Sequence, residues 1–595
     1  MTIRLLVASI LLVGAAFLTA QQLAPGSGEQ KPSAETATLH ALFDESWEWA
    51  LREFPTMATY VGDRRYDDRL PDMSVEAIER RKAHTRTLRD RLRAIDRAKL
   101  SADDQLNYDL FLRDLELQIE GERFPSDFIV ITQMGGIHQQ MAQLAQMVPK
   151  FTVRDYENFL ERLRQLPRLV DQNIVLMRQG LAKGITPPRM TLREVGTAIE
   201  QQAVADPMQS PIYQLLFAQV PEAVSDAERE RLQQEAGRVL QEAALPAYRK
   251  LHAFFVQEYY PDTRESIALS DLPDGRAWYA YQIKSMTTTD LTAEQIHEIG
   301  LSEVARIRGE MERIKEQVGF GGTLTEFFTF LRTDPQFYFT EKEALLTTYR
   351  DIAKRIDPEL PKLFGKLPRL PYGVAPVPEY SEKTQTTAYY NPGSLDAGRA
   401  GYFFANTYDL KSRPRWEMEA LTIHEAVPGH HLQLALAQEL ENVPSFRRWG
   451  GYTAFIEGWG LYSESLGPEL GMYTDPYSQF GQLTYEMWRA IRLVVDTGMH
   501  SKGWSRQQAI DYFKANAGKA EHDIVVEIDR YIVWPGQALA YKVGELKIKE
   551  LRAYATRELG DRFDIRDFHD AVLEAGALPL DILDSRVKTW VGERK

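Results

Sequence analysis

His424-Glu425-Ala426-Val427-Pro428-Gly429-His430-His431 decides how this chain is read. Three of its 11 histidines fall in this octet, beside a glutamate suited to general-base work. The stretch opens like H-E-x-x-H. In that motif the i and i+4 imidazoles share one helix face and one zinc ion, and the glutamate faces the bound water. Here proline holds the fifth place, and the next histidines stand at i+6 and i+7. On a straight helix i+6 points about 120° away, and i+7 lies about 10 Å along the axis. Neither can share a metal with His424 unless the helix is interrupted.

Pro428 supplies an interruption. Its ring removes the N–H that would bond the His424 carbonyl and clashes with that carbonyl. Gly429 tolerates the dihedrals a bulge needs. A two-residue bulge at Pro428-Gly429 would return His430 to the role of the i+4 histidine. His431 would then support the site, or replace His430 as the alternative ligand. Leu432, Leu434, Leu436 and Leu440 continue a helical apolar pattern, so the sequence predicts helix–bulge–helix rather than a helix end.

A catalytic zinc takes three protein ligands and keeps its fourth position for water. Glu457 follows apolar Phe455 and Ile456 and precedes Gly458 and Gly460, a carboxylate in a tightly packed place. Glu464 lies seven residues on, on the same helix face, where it would orient a ligating histidine or stand exposed. The implied chemistry is metal-assisted hydrolysis with one Zn2+ held by His424, His430 and Glu457. Zinc lowers the pKa of its water toward about 7 and polarises a carbonyl. Glu425 would take the water proton and pass it to the leaving group. The oxyanion needs a further donor, for which Tyr541 and His500 are candidates. Arg492 or Lys542 could anchor a substrate carboxylate. Two imidazoles and a carboxylate suit zinc among the divalent metals. No phosphate-binding loop and no G-x-S-x-G elbow competes, and the lack of cysteine excludes thiol catalysis.

Composition sets the context. A formal net charge of -14 argues against nucleic-acid partners, which need clustered basic charge. The arginine-rich Arg80 to Arg97 is interleaved with Asp90 and Asp96 and carries leucines at helical spacing, so it reads as a solvated helix face. At the N-terminus Arg4, the apolar run Leu5 to Leu18 and Ala20 make a signal peptide over residues 1–20. That run is shorter than the roughly 20 residues of a comfortable bilayer span. The mature chain is therefore expected to be exported, periplasmic or secreted, without a stable membrane span, with a retained anchor as the alternative. Without cysteine it can carry neither disulfides nor a cysteine-linked lipid. Residues 21–38 read as a disordered tether.

From Leu39 onward helical periodicity dominates, as in Leu160, Leu163, Leu166 and Leu169. The expected fold is mainly α, a large two-lobed helical body around a deep cleft. Its halves would be 39–280 and 281–595, parted near Pro273-Asp274-Gly275. A small β-sheet beside the motif helix is expected from Thr386 to Tyr390, a turn at Asn391-Pro392-Gly393, and Gly401 to Thr407.

Four motifs together carry a resemblance. They are H-E-x-x-P-G-H-H-x-Q at His424 to Gln433, E-G-W-x-x-Y-S-E at Glu457 to Glu464, V-D-T-G-x-H at Val495 to His500, and P-G-Q-A-x-x-Y at Pro535 to Tyr541. With Glu53 to Thr59 and Gly62, they resemble a bacterial family catalogued as domain of unknown function 885. That family looks like a distant branch of the glutamate-zincin metallopeptidases, similar to carboxypeptidase Taq and thimet oligopeptidase. Those relatives carry H-E-F-G-H, so the resemblance aligns their Gly-His with Gly429-His430 and their third ligand with Glu457. Dipeptidyl-peptidase III is similar in having an enlarged motif. In these relatives an extended segment before the motif helix binds the substrate backbone as an added strand. That implies Gly401 to Thr407, hence Phe404 and Asn406, with Tyr389 and Tyr390 nearby, as substrate-binding. The expected function is an exported zinc peptidase acting on short peptides. The alternatives are a non-peptide amide or ester hydrolase using the same zinc, or a non-catalytic peptide-binding protein.

Overall fold

The computed structural model describes residues 33–379, 382–383 and 385–595. The signal segment and most of the tether lie outside the described residues. The tether does not reach residue 38. Ser33 caps a helix spanning Ala34–Glu53, its hydroxyl accepting the Thr36 N–H at 3.0 Å. The first turn of that helix faces solvent, so its composition resembles a tether although its backbone is helical. Leu39, Leu42, Phe43 and Leu51 bury the inner face.

The chain is mainly α, with a two-stranded ribbon and a three-stranded sheet. Two large apolar cores form. One draws on residues from Leu70 to Tyr259 around the helix Val153–Lys183. That helix starts at a capping box, in which the Asp155 carboxylate accepts the Thr152 N–H at 2.8 Å. Its stripe Leu160, Leu163, Leu166 and Leu169 is fully buried, as the spacing predicts. The other core runs from Leu110 to Val591 and encloses the histidine cluster's helices. The proposed division at 280/281 falls inside the helix Gly275–Thr287, whose Trp278, Tyr279 and Ile283 all join the larger core. Pro273-Asp274-Gly275 is thus a helix start and not a linker. The arginine stretch pairs outward, with Arg80 on Glu53 at 2.9 Å and Arg91 on Glu45 at 2.7 Å.

The helix Pro476–Ser501 is buried at every position from Leu483 to His500. Polar groups on it must therefore find partners inside the protein. Glu486 does so with Lys542, a fully buried lysine on the helix Ala540–Leu559. Its ammonium sits 2.8 Å from Glu486, 2.9 Å from Glu303 and 2.6 Å from Glu545. Lys542 is consumed by the core and cannot anchor a substrate carboxylate. Lys542→Met would leave three carboxylates with only Arg306 and Lys549 to compensate them. The expected cost is about 3–5 kcal/mol, read as a lower urea midpoint.

The ribbon pairs β1 (Ile131–Thr132) with β2 (Gly135–Gly136). The sheet contains β3 (Tyr372–Pro376), β4 (Ala388–Asn391) and β5 (Gly401–Ala405), in the order β3-β5-β4. β3 runs parallel to β5, and β4 antiparallel to it with Tyr389 opposite Phe404. This corrects the expected binding strand. β5 is central and has both edges filled, so it cannot receive an added strand; β4 is an edge. β3 escaped the sequence reading because Pro371, Gly373 and Pro376 disguise it. Among the described residues no helix is long and apolar enough to cross a membrane.

Candidate metal centre

The motif helix spans Met418–Glu425, and the helix resumes at His430–Gln438. Between them Ala426 leaves the helical region with φ −101° and ψ −108°. The Gly429 N–H then donates to the Ile423 carbonyl at 2.9 Å. A bond spanning six residues replaces one spanning four, so two residues are looped out of the helix. His430 follows where an i+4 histidine would stand. The loop is held from outside. Trp459 Nε1–H donates to the Pro428 carbonyl at 2.8 Å, with Ser463 Oγ 3.5 Å from the same oxygen. Gly429 has no room for a side chain, because a Cβ would lie 2.0 Å from the His424 carbonyl oxygen.

His424, His430 and Glu457 converge, their ligand atoms all within 4.8 Å of one another. Glu457 Oε2 lies 3.3 Å from His430 Nε2 and 3.7 Å from His424 Nε2. These distances are long for hydrogen bonds. They match a shared centre, since ligands at about 2.0–2.1 Å and tetrahedral angles stand about 3.4 Å apart. Glu457 comes from the helix Thr453–Glu464. One turn on, Gly460 makes space for both rings, for a Cβ there would lie 3.0 Å from His424 Nε2 and 3.1 Å from His430 Cε1. Gly458 lets this helix press on Gly544 of the helix Ala540–Leu559, which fixes Glu457 relative to Tyr541.

His424 Nδ1–H donates to Glu464 Oε1 at 2.8 Å, so Nε2, which faces Glu457, is the nitrogen that would give up its proton to a metal. Arg489 lies 3.4 Å from the same oxygen. Burial pulls the His424 pKa down, but Glu457 and Glu464 outweigh it and raise it to about 9. Burial pushes Glu457 up, yet His424 and His430 hold it well below the usual carboxylate range. Groups that stabilise positive charge here would equally favour a bound cation. The geometry and the donor set therefore fit one metal ion. Glu464→Gln is expected to lower metal affinity about 10–100-fold, measured by competition with a chelator.

His431 points elsewhere. Its Nδ1 is 2.8 Å from the Tyr390 hydroxyl, and its ring packs on Tyr372 at 4.6 Å. Burial holds its pKa down, to about 4. Tyr390 is thus tied to His431 instead of facing a substrate. Tyr389, on the opposite face of β4, stacks on Phe404 at 5.1 Å. Asn406 is fully engaged in the chain, its amide donating to the carbonyls of Glu382, Gln385 and Thr386.

Glu425 is 8% exposed, and no hydrogen bond from a described residue engages its carboxylate. It is near enough to Tyr349 to perturb that hydroxyl, and Tyr349 packs edge-on to Phe403 of β5. Tyr541 stacks parallel to His424 with ring centres 6.4 Å apart. Its hydroxyl accepts from Arg530 at 3.1 Å and Gln537 at 3.4 Å. Both partners act as donors there, so the phenolic proton remains free to be donated. Arg492 lies 4.3 Å over the Tyr541 ring, its Nε and Nη2 donating to the Tyr531 hydroxyl and Glu527, while its buried Nη1 has no hydrogen-bond partner among the described residues. It buttresses the Tyr541 ring from within the core, where it is 3% exposed. His500 accepts the Leu269 N–H on Nδ1 and meets the Tyr531 carbonyl with Nε2, both at 3.0 Å. It is a core residue with no donor to spare. The sequence reading gave Trp459, Arg530 and Gln537 no role, although all three sit inside or beside the quoted motifs, while Gly460 bears out the tight packing expected around Glu457.

The fold has solved counterparts. A crystal structure of "the putative lipoprotein" from Colwellia psychrerythraea matches with a TM-score of 0.88 and 28% identity, over 94% of this chain and 100% of that one. A "putative lipoprotein of unknown function" from Shewanella oneidensis shares the fold with a TM-score of 0.68 and 18% identity, over 93% of this chain and 99% of that one. No curated protein matches the sequence. Residues 55–587 match the family described as "Bacterial protein of unknown function (DUF885)", and the chain belongs to that family.

Proposed function

We propose that this protein is an exported zinc-dependent peptidase that hydrolyses short peptides. The observation that carries the reading is the looped-out pair of residues that brings His430 to His424 and Glu457. Zinc held there would polarise a scissile carbonyl and acidify the attacking water. Glu425, next in the chain to His424 and without a hydrogen bond from a described residue, accepts the water proton and delivers it to the departing amine. Tyr541, with its oxygen already serving two donors, gives its proton to the developing oxyanion. The β4 edge supports a peptide substrate, because an extended chain can bond to it.

Export is part of the same proposal. It rests on the signal pattern of residues 1–20 and on the lipoprotein description of the Colwellia psychrerythraea counterpart. This sequence has no cysteine to carry a lipid. The test is elemental analysis plus a peptide-library digest. One zinc per chain is expected, with cleavage that a chelator abolishes and added zinc restores. A panel of esters and non-peptide amides should be turned over more slowly. A zinc-loaded protein that leaves every peptide intact would end the reading.

A further inference from the structure

A cavity of about 590 Å³ lies between the two cores. One wall comes from the helix Ile137–Met147 and residues 191–202, the other from β4 and the helix Glu521–Val533. None of the three converging ligands lines it. Its size is that of a ligand pocket.

Three wall residues carry buried polar atoms without a hydrogen-bond partner among the described residues. They are both ring nitrogens of His138, Oε1 of Gln133 and Oε1 of Gln202. His138 is only 1% exposed. Buried polar groups are ordinarily paired, because leaving them unpaired costs stability. Three such residues around one cavity mark a place whose partner comes from outside the chain.

The chemistry of that partner follows from the orphaned atoms. Two amide oxygens call for N–H or O–H donors. Burial lowers the His138 pKa to about 4, so its ring is neutral and offers one donor and one acceptor. The Asp529 carboxylate on the wall is taken by Arg506 at 2.6 and 3.0 Å and by Arg193 at 3.4 Å. Glu194 and Lys383 also line the cavity and add one charge of each sign, so the net demand of the wall is for an uncharged group rich in N–H donors, as primary amides and peptide groups are. The strand β4 links this cavity to the metal centre. Tyr389 and Asn391 line the cavity from one face, while Tyr390 on the other face bonds His431, the neighbour of His430.

We propose that this cavity recognises an uncharged, amide-bearing segment of a peptide, one with glutamine or asparagine side chains, and that His138 determines this specificity. That the peptide is a substrate rests on the peptidase reading; the binding itself does not.

The test uses the full chain, zinc-loaded and carrying Glu425→Gln. It is titrated calorimetrically with a glutamine-rich hexapeptide and with counterparts bearing leucine or glutamate in place of glutamine. The glutamine peptide is expected to bind at least about tenfold more tightly than either. Adding His138→Leu should erase that preference and raise the melting temperature of the peptide-free protein, because an unpaired imidazole is removed. His138→Asn, which keeps a donor and an acceptor, should retain part of the preference. Equal affinity for the three peptides, or a preference that survives His138→Leu, overturns the proposal. Cleavage is read separately with Glu425 intact. Selective binding without cleavage leaves this inference standing and removes the peptidase reading; cleavage without selective binding does the reverse.

Discussion

Glu425→Gln should lower peptide hydrolysis about 10²–10⁴-fold while leaving metal content at one ion per chain. The substitution keeps the size of the side chain and removes only its capacity to hold a proton. Glu425 has no hydrogen bond from a described residue, so its loss breaks no structural contact and the fold should keep its stability. The three ligand atoms come from other residues, so metal binding should persist. Parallel measurements of zinc stoichiometry, melting temperature and kcat distinguish this outcome from a general defect. Full activity in a zinc-loaded variant would remove Glu425 as the base.

Gly429→Ala should abolish metal binding at the centre. Its Cβ would lie 2.0 Å from the His424 carbonyl oxygen and 2.4 Å from that of Ile423. Both are backbone atoms of the helix that presents His424, and neither can swing aside. The bulge must open, and opening it moves His430 away from Glu457. Overpacking of this kind costs about 1–3 kcal/mol in stability. A displacement of about 1 Å is enough to ruin a ligand geometry held within about 0.5 Å. Equilibrium dialysis should show a loss of zinc beyond 100-fold, roughly the upper limit for removing a supporting residue. His431→Gln makes the contrast. His431 lies against Tyr390 and Tyr372, so that variant should keep its zinc. Zinc lost from the His431 variant and kept by the Gly429 variant would mean that the bulge delivers the other histidine.

Much of the centre could be read from the sequence because covalent constraints carried it. Proline at i+4 forces a break, glycine permits one, and the leucines beyond show that the helix resumes. Helix arithmetic then asks where His430 goes. Glu457 was legible from its small and apolar neighbours. The errors share one cause. His500, Asn406 and Lys542 are residue types that serve a core or a site equally well, and only their partners decide. Leu269 and Tyr531 occupy His500, while three acidic residues occupy Lys542. None of these pairings is local in sequence. Strand order is likewise non-local, and β5 looked like an edge until β3 was found on its far side. His138 sits on a helix whose apolar pattern hides it, and its missing partners show only in three dimensions.

The indole of Trp459 holding the Pro428 carbonyl has a consequence for how this sequence can diverge. The excursion in one helix is stabilised by a side chain on another, two residues after the candidate ligand Glu457. The histidine octet and the E-G-W segment are therefore mechanically one unit. A substitution in either should change the effect of a substitution in the other, and mutational costs across the pair should not add. Drift at Trp459 alone would be paid at His430, some thirty positions away, without touching a single ligand.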